Sequence, residues 1–190
     1  MRDYFNDRCH TYTLKDALDD DHLCEYEYKP LACYLDEEEF FEWKEYLDKY
    51  DEVLQRTKKE SKEHKEKMEN VIENSNEKYK KFEALIKSMT LPEKKHTIVF
   101  CGERKIGDLR TIDYVNNLLN ENDWSFQTIT AEESRKERKS IINGFKRGDI
   151  QSISAMRVLD EGVDIPIIKQ AIILASSTKR RQFVQRRGRV

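Results

Sequence analysis

The sequence predicts an α/β fold: a parallel β-sheet flanked by helices, with an inserted α-helical hairpin. Short apolar runs alternate with amphipathic helical stretches in residues 96–190, whereas residues 36–90 show helical periodicity alone. Charge also divides the chain. Residues 1–95 hold 18 Lys and Arg against 25 Asp and Glu, and the remaining residues hold 17 against 12. The second half is therefore the better candidate for a polyanionic partner.

Residues 1–35 carry two short structural signals. Thr13–Leu18 predicts a short helix capped by its first residue, and Cys24–Tyr28 alternates like an edge strand that ends before Pro30. The sequence shows no signal peptide and no apolar run of membrane-spanning length. We therefore expect a cytoplasmic location and no membrane partner.

The four cysteines of the chain form no CxxC pair, and free thiols are the simplest expectation for a cytosolic protein. Three of them lie close in sequence to His10 and His22, and such a group suggests zinc: Cys9, Cys24 and Cys33. Their spacing fits no zinc finger or ribbon, so we expect no metal site here.

Helical periodicity dominates residues 36–90. Asp36–Glu39 places acids in a first helical turn, where the helix dipole favours them. The apolar residues that follow recur three and four apart, as on one helix face: Phe40, Trp43, Leu47, Tyr50 and Leu54. After the polar run Arg56–Lys67, a second stripe extends from Met68 to Met89. We predict two amphipathic helices forming an antiparallel hairpin whose stripes pack. The polar run is either a solvated face or a disordered connection.

The rest of the chain predicts alternating strands and helices. The predicted strands are Thr97–Cys101, Ser125–Ile129, Ile150–Ala155 and Gln170–Leu174. Three helices are predicted: one whose apolar face lies at 112–119, one at Ser134–Phe145 and a last one from Arg180 onward. This order implies a parallel sheet with helices on both faces, in which ligands bind at the carboxyl ends of the strands.

A glycine-containing acidic loop, Val158–Pro166, follows the third predicted strand and so is expected at the carboxyl edge. Gly162 permits close approach of a ligand to the backbone. Asp164 can accept hydrogen bonds from ribose hydroxyls, as carboxylates do in dinucleotide-binding folds. Taken alone, the loop is equally well explained as a surface turn.

The last residues, Gln185–Val190, form an arginine-rich segment. Arg186 and Arg189 stand three apart and share one helix face, so that their guanidinium groups can bind one anion. Gly188 leaves room for close packing. Taken alone, such a basic helix end is more often a solvated face or one that binds phosphate backbones.

Together these segments resemble the motifs of superfamily-two helicases of the DEAD/DEAH-like branch. Ile150–Val190 resembles motifs V and VI of their second, C-terminal RecA-like domain. Ile98–Cys101 resembles motif IV, and Glu137–Gly148 resembles the helix between motifs IV and V. Tyr12–Tyr28 looks like the linker that precedes this domain. Within the branch, the sequence is most similar to the helicase subunits of restriction enzymes and to DNA-repair helicases.

The resemblance implies three domains. Residues 1–35 would form the interdomain linker, residues 36–90 an α-helical insertion and residues 91–190 the C-terminal RecA-like domain. We expect that domain to be truncated after motif VI, because the usual third arginine of the motif would lie beyond Val190.

The resemblance also implies roles at an ATP site. Arg189 matches the arginine finger that stabilises charge on the transferring phosphoryl group, and Arg186 matches the first arginine of motif VI. Gln185 matches the residue that approaches the γ-phosphate or the attacking water. Gly162 and Asp164 match the part of motif V that faces ATP.

Motifs IV and V imply a nucleic-acid grip at Cys101, Gly102, Ser154 and Met156. Met156 stands where many relatives place a threonine that holds a phosphate. Ser154, or alternatively Ser152 or a backbone N–H, is expected to take over that contact.

No Walker A loop is present, so the sequence offers no phosphate cradle. Asp19–His22 imitates a DExH box but follows no apolar strand. ATP and Mg²⁺ are therefore expected to be held mainly by an N-terminal RecA-like domain of the same parent chain, and the fragment alone is expected to be inactive.

The leading function is the C-terminal half of an ATP-dependent DNA helicase or translocase. Its expected partners are DNA, the N-terminal RecA-like domain and other restriction or repair subunits. Two alternatives stay open: a stand-alone nucleic-acid-binding α/β module, and a helical interaction protein without ATPase activity.

Overall fold

The computed structural model describes residues 16, 20, 27–103, 105–156 and 167–175. Its helices are α1 Glu37–Thr57, α2 Lys62–Glu73, α3 Asn76–Ser88, α4 Leu91–Lys94, α5 Thr111–Glu121 and α6 Arg135–Arg147. Its strands are β1 Thr97–Phe100, β2 Lys105–Ile106, β3 Leu109–Arg110, β4 Phe126–Ile129, β5 Ser152–Ala155 and β6 Gln170–Ile173.

Four strands form one parallel sheet in the order β4-β5-β1-β6. In the register of the sheet, Ile98 of β1 lies beside Ile153 of β5 and Ala171 of β6. The chain therefore crosses over between neighbouring strands, as helical connections in parallel sheets require. The predicted fold class, a parallel sheet with flanking helices, is confirmed.

Two apolar clusters cover the two faces of the sheet, because side chains alternate along each strand. Val99 and the neighbouring Cys101 face a cluster built by α3, α5 and β6: Tyr79, Phe82, Ile86, Ile112, Val115, Leu118, Leu119, Trp124, Ile172 and Leu174. Ile98 and Phe100 face the opposite cluster, which includes Ile129, Phe145, Ile153 and Ala155. Helices α3 and α5 therefore lie on one face and α6 on the other.

Helices α1 and α2 form the predicted antiparallel hairpin, here called the arm (residues 37–73). The two helices pack together, and Lys67 Nζ of α2 lies 5.6 Å from the Tyr46 ring of α1. The far end of α2 returns to the start of α1, since Asn76 Nδ2 donates to Asp36 Oδ2 at 3.0 Å. The polar run is thus largely helical and solvated.

The second predicted helix of residues 68–89 is in fact two helices. It breaks between α2 and α3, where Asn74 caps one helix end and Ser75 precedes the next. Asn74 Nδ2 donates to the carbonyl of Lys105 at 2.7 Å, and Ser75 Oγ donates to the carbonyl of Tyr34 at 3.1 Å. Short polar side chains compete with the helical backbone in this way, which explains the break.

The aromatic stripe of α1 packs only in part. No residue of α1 is buried, and its stripe residues Trp43, Leu47, Tyr50 and Leu54 are half-buried. Phe40 and Phe41 are 47% and 67% exposed. The arm therefore carries an aromatic surface at the start of α1.

Helix α3 packs with the sheet, although the sequence grouped it with the insertion. Its residues Tyr79, Phe82 and Ile86 are buried in the cluster on β1 and α5. The expected boundary at residue 90 thus lies beyond a helix that contributes directly to the sheet's core. The division of the chain into three domains stays a prediction.

Several sequence predictions fall outside the described residues: the helix at Thr13–Leu18, the loop Val158–Pro166 and the helix from Arg180. Of the predicted edge strand, Glu27 and Tyr28 are described and are not in a strand. Within the described ranges, no helix has the length and apolarity needed to cross a bilayer. No group of three acidic, histidine or cysteine residues there is arranged to hold a metal ion.

Candidate nucleic-acid interface

The carboxyl ends of the four parallel strands meet at one edge of the sheet. The N–H of Cys101 donates to the carbonyl of Ala155 at 2.8 Å, and the N–H of Leu174 donates to the carbonyl of Phe100 at 3.0 Å. Met156 follows β5 directly, and its N–H donates to the carbonyl of Ile129 at 3.1 Å. Cys101 and Met156, predicted from separate motifs, therefore lie on the same edge. The acidic loop Val158–Pro166 follows Met156 closely in sequence.

Gly102 is buried at this edge, where the backbone is closely approached by other groups. A methyl group built on Gly102 would overlap Glu73 Oε1, and it would lie 3.1 Å from the Ala175 side chain. A larger residue would therefore require the Glu73 side chain to shift. The group that approaches the Gly102 backbone here is a carboxylate, and the predicted part of Gly102 in a nucleic-acid grip stays a prediction.

The side chain of Cys101 belongs to the core. It is 2% exposed and packs in the cluster with Val99 and Ile172. Only the main chain of Cys101 is thus placed to meet a ligand at the edge.

The hydroxyl of Ser154 is hydrogen-bonded inside the protein. Ser154 Oγ donates to Asn116 Oδ1 at 2.6 Å and lies 3.0 Å from Thr128 Oγ1. Asn116 Nδ2 in turn donates to Thr128 Oγ1 at 3.0 Å, so that the three side chains form a closed ring of hydrogen bonds. The Ser154 side chain is fully buried and its hydroxyl is bonded within the protein, and the expected contact of Ser154 with a phosphate stays a prediction.

Two alternatives to Ser154 were expected for the phosphate contact: Ser152 and a backbone N–H. Ser152 is fully buried at the start of β5, on the side of the sheet away from the carboxyl edge. The N–H of Met156 is used within the sheet. The side chain of Met156 is half-buried and packs on the cluster beneath α5. At this position the structure therefore offers the edge an apolar side chain.

A small antiparallel hairpin, β2–β3, follows β1 and was not predicted. Its turn is Gly107–Asp108, and Gly107 has φ +59°, the conformation that tight hairpin turns require. The glycine–aspartate pair between Ile106 and Leu109 was a usable sequence signal, but strands of two residues are too short for an alternation to stand out. Asn74, the residue that follows the arm, binds this hairpin, as described above.

Arg110 ends the hairpin and is held by two carboxylates. Its Nε donates to Asp113 Oδ2 at 2.8 Å, and its Nη1 donates to Glu132 Oε1 at 2.9 Å. Hydrogen bonding to Asp113, followed by its charge, raises the pKa of Arg110 above its usual value. This arginine is thus fixed in place beside the start of α5.

Lys78 supplies a partly buried cation at the base of the arm. Burial lowers the pKa of Lys78, while the nearby charge of Glu73 opposes this shift. Its Nζ lies 5.3 Å from the Tyr79 ring. Sequence reasoning missed both Glu73 and Lys78, because they lie in helices without a recognisable motif.

The predicted ATP-site residues lie outside the described ranges: Gly162, Asp164, Gln185, Arg186 and Arg189. Their roles stay predictions. The described part of the chain therefore defines the sheet and its carboxyl edge, from which the motif V loop continues in sequence.

The parallel sheet, its helices on both faces and the motif-bearing carboxyl edge define a RecA-like α/β domain. A model of the family described as the helicase conserved C-terminal domain matches residues 77–190. The chain belongs to this family, and the resemblance to superfamily-two helicases is confirmed. The match begins within α3, in agreement with the packing of that helix on the sheet.

The chain is similar to two curated relatives over short spans. It is 39% identical over 62 residues to the DNA 3'-5' translocase XPB2 of Sulfurisphaera tokodaii, covering 33% of this chain and 14% of that protein. It is 24% identical over 109 residues to the ATP-dependent RNA helicase eIF4A of Yarrowia lipolytica, covering 57% of this chain and 26% of the relative. The chain thus spans about a seventh and about a quarter of these relatives.

The fold is also found among solved structures. The C-terminal part of the Fun30 ATPase domain superposes with a TM-score of 0.51 at 15% identity, covering 60% of this chain and 36% of that one. At this identity the similarity supports the fold alone.

Proposed function

We propose that this chain is the C-terminal RecA-like domain of an ATP-dependent DNA helicase or translocase. The observation that carries the proposal is the meeting of Cys101, Gly102 and Met156 at one carboxyl edge, with the motif V loop next in sequence. Ligands of parallel α/β sheets bind at this edge. Family membership supports a helicase role, and the edge is where a nucleic-acid strand would lie.

DNA is the proposed nucleic acid. Two features support it: the resemblance of the motifs to restriction and repair helicases, and the similarity to XPB2, which is named a DNA translocase. The eIF4A relative is named an RNA helicase, so RNA is the competing substrate. A partnership with restriction or repair subunits, and a cytoplasmic location, belong to the same proposal.

ATP is the proposed fuel, with Mg²⁺ bound alongside it by an N-terminal RecA-like domain. On this proposal Arg189 acts as the arginine finger, Arg186 and Gln185 lie near the γ-phosphate, and Gly162 and Asp164 face the nucleotide. The chain by itself then binds nucleic acid without hydrolysing ATP. Replacing Arg189 in the two-domain protein tests these roles through ATP turnover.

For the domains, we propose that the insertion is the arm alone. Helix α3 then opens the RecA-like domain, because its buried residues complete the sheet's core.

The nucleic-acid proposal is tested by titrating the 190-residue chain into fluorescently labelled single-stranded oligothymidylate and, separately, into oligouridylate. Met156→Glu places a negative charge on the carboxyl edge and should weaken DNA binding about tenfold or more, through repulsion of phosphates. The matched control is Met89→Glu. Met89 is also half-buried and packs on the same cluster, but it follows helix α3 and not a strand of the carboxyl edge.

Equal weakening by both substitutions, or none by Met156→Glu, would overturn the assignment of this edge. Tighter binding of oligouridylate than of oligothymidylate would replace DNA by RNA as the substrate. Binding that does not weaken with added salt would contradict contacts to phosphates.

A second candidate function, protein interaction through the arm, is favoured by the exposure of Phe40 and Phe41. The double substitution of both phenylalanines by serine should then abolish self-association or partner capture and leave DNA binding intact. Light scattering and pull-down of the variant against the wild-type chain separate this role from the first.

A further inference from the structure

The outer face of helix α6 carries a stripe of positive charge. Arg135, Lys139 and Lys146 stand four and seven residues apart, so they lie on one face of the helix, and Lys136 lies beside them. All four residues are exposed. These four residues are here called the α6 ridge, which extends for about 16 Å along the helix.

The two other basic residues of α6 are held by groups of this chain. Arg138 is half-buried and donates to the carbonyl of Ala131 at 3.3 Å. Arg147 is paired with Asp149 at 2.7 Å. Within the residues that the structure describes, no carboxylate forms an ion pair with the α6 ridge. The ridge therefore presents its charge to solvent.

Helix energetics do not explain this arrangement. The amino end of a helix disfavours cations, yet Arg135 and Lys136 are the first two residues of α6. Arg135 and Lys139 stand four residues apart, a spacing at which like charges repel. In α2 the same spacing joins opposite charges, since Lys67 is paired with Glu63 at 2.7 Å. A ligand with negative charge would relieve the repulsion within the ridge.

The α6 ridge begins beside the carboxyl edge of the sheet. Strand β4 ends at Ile129, whose carbonyl accepts from the N–H of Met156 at that edge. Helix α6 starts six residues later, packs on the sheet through Phe145 and ends before β5 begins. The helix thus runs from the carboxyl edge toward the amino ends of the strands. A nucleic acid bound at the edge can therefore continue onto the ridge.

The chemistry of the ridge suits a duplex better than a single strand. Sites for single strands combine a basic groove with aromatic rings on which the bases stack. No exposed residue of α6 is aromatic, and the outer face of a helix is convex. A duplex carries about one phosphate per 1.7 Å of its axis, which is about ten phosphates over the length of the ridge. Lysine and arginine side chains bind such phosphates without reading the bases.

We propose that the α6 ridge binds the phosphate backbone of duplex DNA that adjoins the strand held at the carboxyl edge. The edge then holds one strand, and the ridge supports the paired region next to it. This inference rests on the proposed function of the chain as a nucleic-acid-binding domain.

The test compares three double variants of the full chain. Lys139→Gln with Lys146→Gln removes two charges from the ridge, and Lys139→Arg with Lys146→Arg keeps them. The control, Lys59→Gln with Lys62→Gln, removes two charges from exposed lysines at the turn between α1 and α2. Fluorescence anisotropy measures binding of a blunt DNA duplex, and of oligothymidylate of the same length, over a range of salt concentrations.

We expect the ridge glutamine variant to bind the duplex about tenfold more weakly at low salt, and to bind oligothymidylate within about twofold of the wild type. The slope of log affinity for the duplex against log salt should fall by about two, because two phosphate contacts are lost. The arginine variant and the control should match the wild type.

Three results would overturn the ridge: unchanged duplex binding by the glutamine variant, equal weakening by the control, and equal weakening toward oligothymidylate. Loss of duplex binding in the arginine variant would also overturn it, since the charges are retained there. Binding of polyglutamate by the wild type as tightly as the duplex would assign the ridge to an acidic protein instead.

Failure of the ridge and failure of the proposed function are distinguishable. If the wild-type chain binds oligothymidylate, and the glutamine variant binds the duplex as well as the wild type does, the ridge falls and the edge stands. If the wild-type chain binds neither DNA nor RNA in any form, the proposed function falls, and the ridge with it.

Discussion

Ser152 and Ser154 show how differently two buried hydroxyls of one strand can be used. Ser154 closes a ring of hydrogen bonds with Asn116 and Thr128. Among the described residues, the Ser152 hydroxyl has no hydrogen-bond partner. Both side chains are fully buried. Their contributions to stability should differ accordingly.

Ser154→Ala should lower the free energy of unfolding by about 1–3 kcal/mol, because it removes a buried hydroxyl's hydrogen bonds to the half-buried side chains of Asn116 and Thr128. Ser152→Ala should change it by less than about 0.5 kcal/mol, or raise it. Urea unfolding followed by circular dichroism measures both. The interpretation of the ring would be contradicted by equal effects of the two substitutions.

His96 links the stability of the fold to pH. Burial, followed by the positive charge of Lys169, lowers the pKa of His96 below its usual 6.5. As pH falls below 6.5, the unfolded chain takes up the proton first, so stability should fall until the folded protein is protonated too. His96 has φ +61°, which asparagine tolerates better than most residues.

His96→Asn should therefore reduce the loss of stability between about pH 7.5 and about pH 5.5. The measurement is the urea midpoint of both proteins at each pH. An unchanged pH dependence in the variant would show that other groups cause it.

At the level of elements, helix α6 is defined by its two ends. Ser134 and Glu137 form a capping box at its start, in which each side chain bonds the backbone N–H of the other. Gly148 ends it with φ +82°, in the left-handed conformation that glycine adopts without cost. The capping box and the glycine cap can both be recognised in the sequence, and the bounds of this helix were predicted to within a few residues.

Gly148→Ala should destabilise the protein by about 1–2 kcal/mol, because a Cβ opposes the left-handed conformation. Asn143→Ala, at an exposed site in the same helix, should be neutral or slightly stabilising. Thermal unfolding distinguishes them. The same melting temperature for Gly148→Ala and the wild type would refute the role of the glycine cap.

Elements with strong patterns could be predicted from the sequence, and elements set by tertiary contacts could not. Among the strands of the sheet, β1 is a short apolar run that a buried position explains, and β4 was predicted from the alternation of polar and apolar residues. By contrast, the break at Asn74–Ser75 depends on acceptors at Tyr34 and Lys105, which lie far away in sequence. Likewise, the motifs located Gly102 and Met156 at the edge, but nothing in them signalled that a glutamate of the arm would cover the glycine.

At the scale of the whole molecule, the arm is separable from the sheet. Helix α1 buries no residue, and α2 buries Val71 alone. The ends of the arm lie together, since Asp36 and Asn76 are hydrogen-bonded. The arm can therefore be removed without opening the core.

Replacing residues 37–73 by a short Gly-Ser linker should leave a folded α/β domain that unfolds cooperatively. The loss of stability should be about 2 kcal/mol or less, on the scale of one buried aliphatic side chain. Circular dichroism and urea unfolding measure it. Loss of cooperative unfolding would contradict the view of the arm as an insertion.

An arginine-rich motif and the lack of a phosphate loop in this sequence predict that the chain works in a two-domain ATPase. These residues could be recognised because phosphate chemistry demands particular side chains at fixed spacings. The predicted roles involve a second domain, so the contacts within this chain do not determine them.

The central claim is tested most directly by nucleic-acid-stimulated ATP hydrolysis, measured in the protein that joins this chain to an N-terminal RecA-like domain. Arg189→Ala should lower the turnover number by about 10³-fold or more while ATP binding is retained. The control Arg147→Ala removes an exposed arginine of α6, paired with Asp149, and should leave turnover unchanged. Wild-type turnover in Arg189→Ala would contradict the account.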